Sequence, residues 1–227
     1  MNTELARFNM IEQQIRPWDV LDPAVLELLS TMRREDFVPA AYRALAFVDT
    51  QVPLVPGAQA QAEGACMLEP KVEARILQEL RLQRHEKVLE IGTGSGFMAA
   101  LLAHRAMHVH TLECRPELAR MAREALRRNG VLNATVHEVD AATGARGLAA
   151  EGPFDAIVLS GSVAEVPAAL FDQLKPGGRL VAIVGDEPVM VARLFTGGAA
   201  HAAAARDLFD TVAPRLLGFA EPTRFSF

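Results

Sequence analysis

The chain has 227 residues, half of them hydrophobic and 22% charged, which is enough apolar material for one substantial packed core. Its formal net charge of −5 argues against a broad nucleic-acid footprint, which needs a basic face. Two cysteines, Cys66 and Cys114, lack metal-ligand spacing and form no disulfide framework, so a reducing compartment is expected.

The N-terminus, MNTELARFNM, holds no apolar stretch of the signal-peptide kind, and no window reaches the roughly 18 apolar residues that a membrane span needs. A cytoplasmic protein without membrane contact is expected. Residues 1–45 read as helices. FNMIEQQI places Phe8, Ile11 and Ile15 at helical spacing, and Pro17 then breaks the pattern. Asp22-Pro23 resembles an N-cap with proline at the first helical position, opening AVLELLSTM. The arginine pairs Arg33-Arg34 and Arg127-Arg128 read as solvated faces. Residues 46–70, rich in Pro, Gly, Ala and Gln, read as irregular chain near the mouth of a site, and KVEARILQEL (71–80) as an amphipathic helix.

Residues 87–96, KVLEIGTGSG, carry the strongest functional signal. Val88, Leu89 and Ile91 suit a buried strand. Gly92, Gly94 and Gly96 suit a tight turn where backbone approaches a ligand closely, and FMAALLAHRA suits the helix that follows. A dinucleotide fingerprint wants G-x-G-x-x-G, whereas here the third glycine comes one residue early and Phe97 follows. Glu90 ends the strand, and a carboxylate there repels a pyrophosphate but suits a ligand that brings a cation, such as the amino group and sulfonium of S-adenosylmethionine. Glu113 closes the next strand, HVHTLE, where an acid accepts ribose hydroxyls.

Strands are expected at 87–91, 107–113, 134–139, 154–159 and 179–184, with helices at 97–105, 116–129 and 164–174 between them. This alternation predicts an α/β, Rossmann-like, doubly wound and mostly parallel sheet with an N-terminal helical extension. Residues 1–80 would form the helices and substrate-side loop, and 81–227 the nucleotide-binding unit. LKPGGRL (174–180) reads as a structural turn. Beyond Gly185 the pattern suggests a hairpin leading into a last strand, although the alanines at 199–205 favour helix by propensity.

Ligands in such sheets bind outside the carboxyl ends of the strands. Asp140 falls at one such end, where it could accept an adenine amino group, and Ser160 at another, beside the reaction centre. The expected cofactor-binding set is Glu90, Gly92, Thr93, Gly94, Gly96, Glu113, Cys114, Asp140 and Ala141. His108 and His110 alternate on one strand face without a third ligand nearby, so no metal is expected.

With these residues in place, most of the chain resembles the protein-L-isoaspartate O-methyltransferases. The likeness runs through MIEQQIRPWDVLDPAVLELLSTMRREDFVP, AYRALAFVDTQVPL, LEIGTGSGFMAALLA, LECRPELARMAREALRRNG, VDAATG, PFDAIVLSG and LKPGGRLVAIVG. It implies a class I methyltransferase sheet with a helical cap and a modified C-terminal strand arrangement. It also implies S-adenosylmethionine as cofactor and a protein or peptide acceptor, a small molecule being the alternative. The isoaspartyl carboxylate would attack the methyl carbon in line, giving an ester that collapses to a succinimide and so repairs the backbone. Family members carry a loop like G-Q-T-I-S-Q-P, and anchored on Pro70 this chain reads Gly64-Ala65-Cys66-Met67-Leu68-Glu69-Pro70. Leu68 holds the serine position, and residues 56–70 contain no Ser or Thr at all. After the fourth strand, Ser160-Gly161-Ser162 stands where members often carry Thr-Ala-Ala. Cys66, Met67, Leu68 and Ser160 are therefore the expected substrate-side residues, with no catalytic residue assigned. Isoaspartyl methylation is the expected activity, the alternatives being a different methyl acceptor or an inactive cofactor-binding protein.

Overall fold

Strands that are apolar on both faces must be covered by helices on both sides, and short βα repeats achieve this with a parallel sheet. The computed structural model, which describes residues 2–56, 60, 63–197 and 204–221, has this architecture. Helix α1 (Thr3–Met10) runs into a π-helical turn (Ile11–Ile15) and a 3-10 turn (Arg16–Trp18), and α2 (Pro23–Thr31) follows. A two-residue ladder pairs β1 (Val52–Pro53) with β2 (Cys66–Met67) ahead of α3 (Pro70–Leu80). Then come β3 (Lys87–Ile91), α4 (Phe97–Arg105), β4 (His108–Glu113), α5 (Pro116–Arg128), β5 (Ala134–Glu138), α6 (Ala141–Ala145), β6 (Phe154–Val163) and α7 (Ala168–Phe171). The chain ends its regular structure with β7 (Leu174–Asp186), β8 (Val189–Thr196) and β9 (Ala204–Asp210).

The seven-stranded sheet has the order β5-β4-β3-β6-β7-β8-β9. The first five strands are parallel, and β8 and β9 turn back antiparallel as hairpins. The chain leaves β3 toward β4 and β5 and returns on its other side as β6, so the strand order reverses there and a crevice opens at the carboxyl ends. The pleat divides the strand residues between two cores. Val88, Val109, Ala156 and Val158 join the N-terminal segments, α3 and α4, while Leu89, Leu112, Ile157 and Leu159 pack on the opposite face with Phe154 and Leu170. Among the described residues no helix is long and apolar enough to cross a membrane.

Local chemistry accounts for the element ends. Asp22 accepts from Ala24 N at 2.8 Å and Pro23 opens α2, as expected. Four expectations give way. Phe8 is 58% exposed while Met10, Ile11 and Ile15 are buried, because the π-helical turn adds a residue and breaks the 3.6-residue spacing. The helix expected over 164–174 shrinks to α7. LKPGGRL is not a separate turn but the opening of β7. Successive register pairs there are Phe154↔Leu174 and Ala156↔Arg179, so the Pro-Gly-Gly segment is accommodated as a bulge with Gly177 at φ 77°. Ala204 and Ala205 lie in β9, where pairing with β8 overrides helix propensity, and residues 198–203 lie outside the described residues.

After β9 the chain crosses the carboxyl ends of β3 and β6. Ser162 N donates to Pro214 O at 2.7 Å, Leu216 N donates to Ser162 O at 2.9 Å, and the Ser162 hydroxyl donates to Ala213 O at 2.8 Å. Leu216 then lies over Gly92 and Gly161, and Gly218 (φ 81°) presses against the Ala141 carbonyl, where a Cβ has no room. This strap was not legible in the sequence, and it closes one wall of the site.

Candidate functional site

The glycine turn is held by an acid from the neighbouring strand. Glu113, at the end of β4, accepts Gly94 N at 2.8 Å through Oε2, and Cys114 N and Arg115 N at 3.0 Å through Oε1. Burial raises the Glu113 carboxyl above its ordinary range, against the pull of those three backbone donors. Gly92 and Gly94 adopt φ 95° and 52°, which L side chains rarely tolerate. Beside the turn lies an open-mouthed cavity of about 70 Å³. Its lining includes the polar residues Glu113 and Ser160, the backbone of Gly92 and Gly94, and the apolar side chains of Leu112, Leu118, Val139 and Ala141. Leu216, Leu217 and Phe219 of the strap close it.

A second, smaller crevice of about 20 Å³ adjoins the first on the side of the β2 loop. Cys66, Met67 and Leu68 of the β2 loop line it together with Glu73, Glu90, Thr93, Ser95, Met98 and Ser160. Cys66, Gly92, Gly94 and Ser160 line both spaces. The β2 loop is fixed from behind. Arg34 is 1% exposed, donates to the Leu68 carbonyl at 2.7 Å, pairs with Glu73 of α3, and lies 4.8 Å from the Phe97 ring centre. The solvated-face reading therefore fails for Arg34, which is drawn inside by a buried carboxylate partner, and holds for Arg33, whose side chain is 64% exposed. Burial pushes the Glu73 carboxyl up to about 7 despite the attraction of Arg34.

The expected cofactor residues divide three ways. Gly92, Gly94, Glu113, Cys114 and Ala141 line the main cavity. Glu90 and Thr93 line the crevice instead. Glu90 is wholly buried, accepts the hydroxyls of Ser160 and Thr111 at 2.7 Å each, and is pushed up to about 8 by burial, so it does not offer the ionised carboxylate that the sequence suggested. Gly96 and Asp140 line neither space. Gly96 begins α4 against Ala122 of α5. Asp140 caps α6, accepting Thr143 N at 2.9 Å and its hydroxyl at 2.5 Å, and it is exposed. The substrate-side set, Cys66, Met67, Leu68 and Ser160, is brought together as expected.

Sequence reasoning missed Ser95, Glu73, Arg34, Arg115 and the strap. Arg115 lines the main cavity and its guanidinium donates to the Glu63 carbonyl, tying the loop ahead of β2 to the edge of the site. The apolar cluster in PRLLGF, following a strand pattern, was the one available sign of the strap. The histidines pair with each other, His110 Nδ1 lying 3.0 Å from His137 Nε2 on the next strand. Among the described residues no group of three or more His, Cys, Asp or Glu is placed to hold a metal ion.

A glycine turn at the strand-order reversal, locked by the acid that ends the adjacent strand, defines a class I methyltransferase. Comparison with known proteins narrows the class. Residues 6–202 match the family profile described as protein-L-isoaspartate(D-aspartate) O-methyltransferase, and the chain belongs to that family. It is 39% identical over 182 residues to the protein-L-isoaspartate O-methyltransferase of Koribacter versatilis (strain Ellin345), covering 80% of this chain and 78% of the relative. The Methanoculleus marisnigri (strain ATCC 35101 / DSM 1498 / JR1) enzyme of the same name is 41% identical over 179 residues, covering 79% and 77%. A solved Plasmodium falciparum structure, described as a protein-L-isoaspartate O-methyltransferase in complex with S-adenosyl-L-homocysteine, superposes with a TM-score of 0.75 at 19% identity, covering 96% of this chain and 99% of that one. At that identity the likeness speaks for the fold.

Proposed function

We propose that the chain is an S-adenosylmethionine-dependent methyltransferase that esterifies the side-chain carboxylate of isoaspartyl residues in damaged proteins. Residues 1–80 supply the acceptor side and residues 81–227 the cofactor side. The observation that carries the reading is the pair of adjoining spaces meeting at Gly92, Gly94 and Ser160, one lined by Glu113, Leu118 and Val139, the other bordered by the β2 loop. The residues fit the cofactor: the Gly92–Gly94 backbone admits close approach, Glu113 would hold the ribose, and Leu118 and Val139 would pack on the adenine. When bound, S-adenosylmethionine supplies an electrophilic methyl group on a sulfonium. The acceptor carboxylate is already a nucleophile, so the protein's contribution is alignment and exclusion of water. Nucleic acid is not an expected partner, and we place the protein in the cytoplasm.

The direct test is methyl transfer from labelled S-adenosylmethionine to an isoaspartyl peptide, with the aspartyl peptide as control. Transfer to the isoaspartyl peptide alone is expected, and none to either peptide with the cofactor bound would overturn the reading. A second reading, a less charged acceptor, is favoured by Leu68, whose side chain offers the crevice no hydrogen-bond donor. The Leu68→Ser variant decides between them. Under the isoaspartyl reading the wild type is already active, whereas activity that arises only in Leu68→Ser means leucine had redirected the site.

Removing the Glu113 carboxylate leaves three backbone N–H groups without their acceptor. Glu113→Ala is expected to lose about 1.5–3 kcal/mol of stability and to weaken S-adenosylhomocysteine binding by at least about tenfold. Denaturant unfolding and calorimetric titration measure the two effects, and unchanged values in both would remove Glu113 from the site.

A further inference from the structure

We propose that the Ser160 hydroxyl receives the acceptor carboxylate and that the carboxyl of Glu90 behind it is a proton gate, deciding whether that hydroxyl can donate. The inference rests on the isoaspartyl reading for the identity of the acceptor. It follows from counting protons.

Glu90 Oε1 meets Ser160 Oγ at 2.7 Å, and Oε2 meets Thr111 Oγ1 at 2.7 Å. Thr111 Oγ1 in turn lies 2.6 Å from Thr93 Oγ1. Each hydroxyl owns one proton, and an ionised carboxylate only accepts. With Glu90 ionised, Ser160 and Thr111 must both donate to it, and Thr93 must donate to Thr111. Every proton of the network is then turned inward, and Ser160 shows the crevice only lone pairs. With Glu90 neutral, its own proton can point at Ser160 Oγ, and the serine proton is released toward the crevice. Ser160 is the member of this network that lines both spaces, where a methyl group and its acceptor would meet. Leu68 in the same crevice brings no donor, and Ser160 is the hydroxyl that borders both spaces.

The groups around Glu90 favour the neutral form. Burial is the main cause, and Glu73 from α3 and Glu113 from the end of β4 add negative charge facing it. Arg34 is committed to Glu73, and Arg115 acts on Cys66 and Glu113. The Cys66 thiol, on the β2 wall of the same crevice, is itself raised by burial and so stays neutral. Near pH 7 an acceptor carboxylate thus meets a hydroxyl donor. Above about pH 8 it meets a serine with no free proton backed by a negative charge.

The test combines kinetics with a spectroscopic readout. In the wild type, kcat/KM for an isoaspartyl peptide is expected to fall about tenfold per pH unit above a midpoint near 8, as one proton is lost. In Glu90→Gln the amide NH2 donates to Ser160 permanently, so the alkaline fall is expected to vanish. Ser160→Ala is expected to lose about tenfold or more in kcat/KM across the range, with no alkaline fall left to read. An alkaline fall that persists in Glu90→Gln overturns the gate. Independently of any acceptor, the infrared band of a protonated carboxyl, taken as wild type minus Glu90→Gln, should persist at pH 7 and disappear near 8. A Glu90 already ionised at pH 6 overturns the inference. If no peptide is methylated while the band behaves as expected, the isoaspartyl reading fails. Acetate then serves as the carboxylate probe: binding detected by saturation-transfer NMR in wild type but lost in Ser160→Ala sustains the role of Ser160, and equal binding in both overturns it.

Discussion

Gly94→Val is expected to abolish cofactor binding while leaving a folded protein. Gly94 sits at φ 52°, and a β-branched residue in the left-handed region costs about 1–3 kcal/mol before any contact is considered. Its Cβ would lie 3.2 Å from Leu54 Cδ1, and the valine methyls would occupy the cavity against which a ligand must rest. The backbone N–H that donates to Glu113 would also be displaced. Together these effects are expected to weaken S-adenosylhomocysteine binding by more than about a hundredfold, roughly 2.8 kcal/mol. Because the added atoms project into the cavity rather than the core, the unfolding midpoint is expected to move much less. Calorimetric titration beside thermal unfolding measures both. Wild-type affinity in the folded variant would mean that the ligand does not rest on this turn.

Arg34→Ala is expected to cost about 3–5 kcal/mol of folding stability, since removing one partner of a buried pair leaves the other uncompensated. Three interactions are lost at once: the ion pair with Glu73, the donor to the Leu68 carbonyl, and the packing over Phe97. The cost should depend on pH. Glu73 has its pKa raised to about 7 in the fold, so its contribution to stability is fully present below the ordinary carboxylate range near 4.5 and is lost as pH rises through 7. Without Arg34 the carboxyl is pushed higher still. The deficit is therefore expected to be smaller at pH 6, where Glu73 can hold a proton, than at pH 8.5, where the wild type has an ionised and paired carboxylate. Arg34→Met combined with Glu73→Met should recover most of the loss, because two apolar side chains leave no buried charge. Denaturant unfolding at the two pH values measures this. A loss below about 1 kcal/mol at both would assign the pair no structural weight.

What could be read in advance was local. The strand KVLEI, the glycine turn and the helix FMAALLAHR occur with the expected boundaries, because apolar runs, φ-tolerant glycines and helix formers act within a few residues. The Asp22 cap also forms, and β4 and β5 fall within one residue of expectation, while β6 starts as expected but runs past 159 to Val163. Errors began where a distant partner overrides local preference. The Pro-Gly-Gly segment, a turn by its own chemistry, became a bulge because β6 supplied a ladder for it. Arg34 left the surface because Glu73, nearly 40 residues on, supplied a buried charge.

The sequence by itself determined the class of fold and the family, since each is encoded in contiguous residues. Only the tertiary structure decided what the acids do. Glu113 stands at the expected strand end, yet its oxygens are spent on Gly94, Cys114 and Arg115. Glu90 has its pKa raised because the strands on either side bury it, against the pull of the Ser160 and Thr111 hydroxyls that those strands bring. Protonation state depends on burial and on neighbours far along the chain, and those are properties of the packed molecule rather than of any stretch of residues.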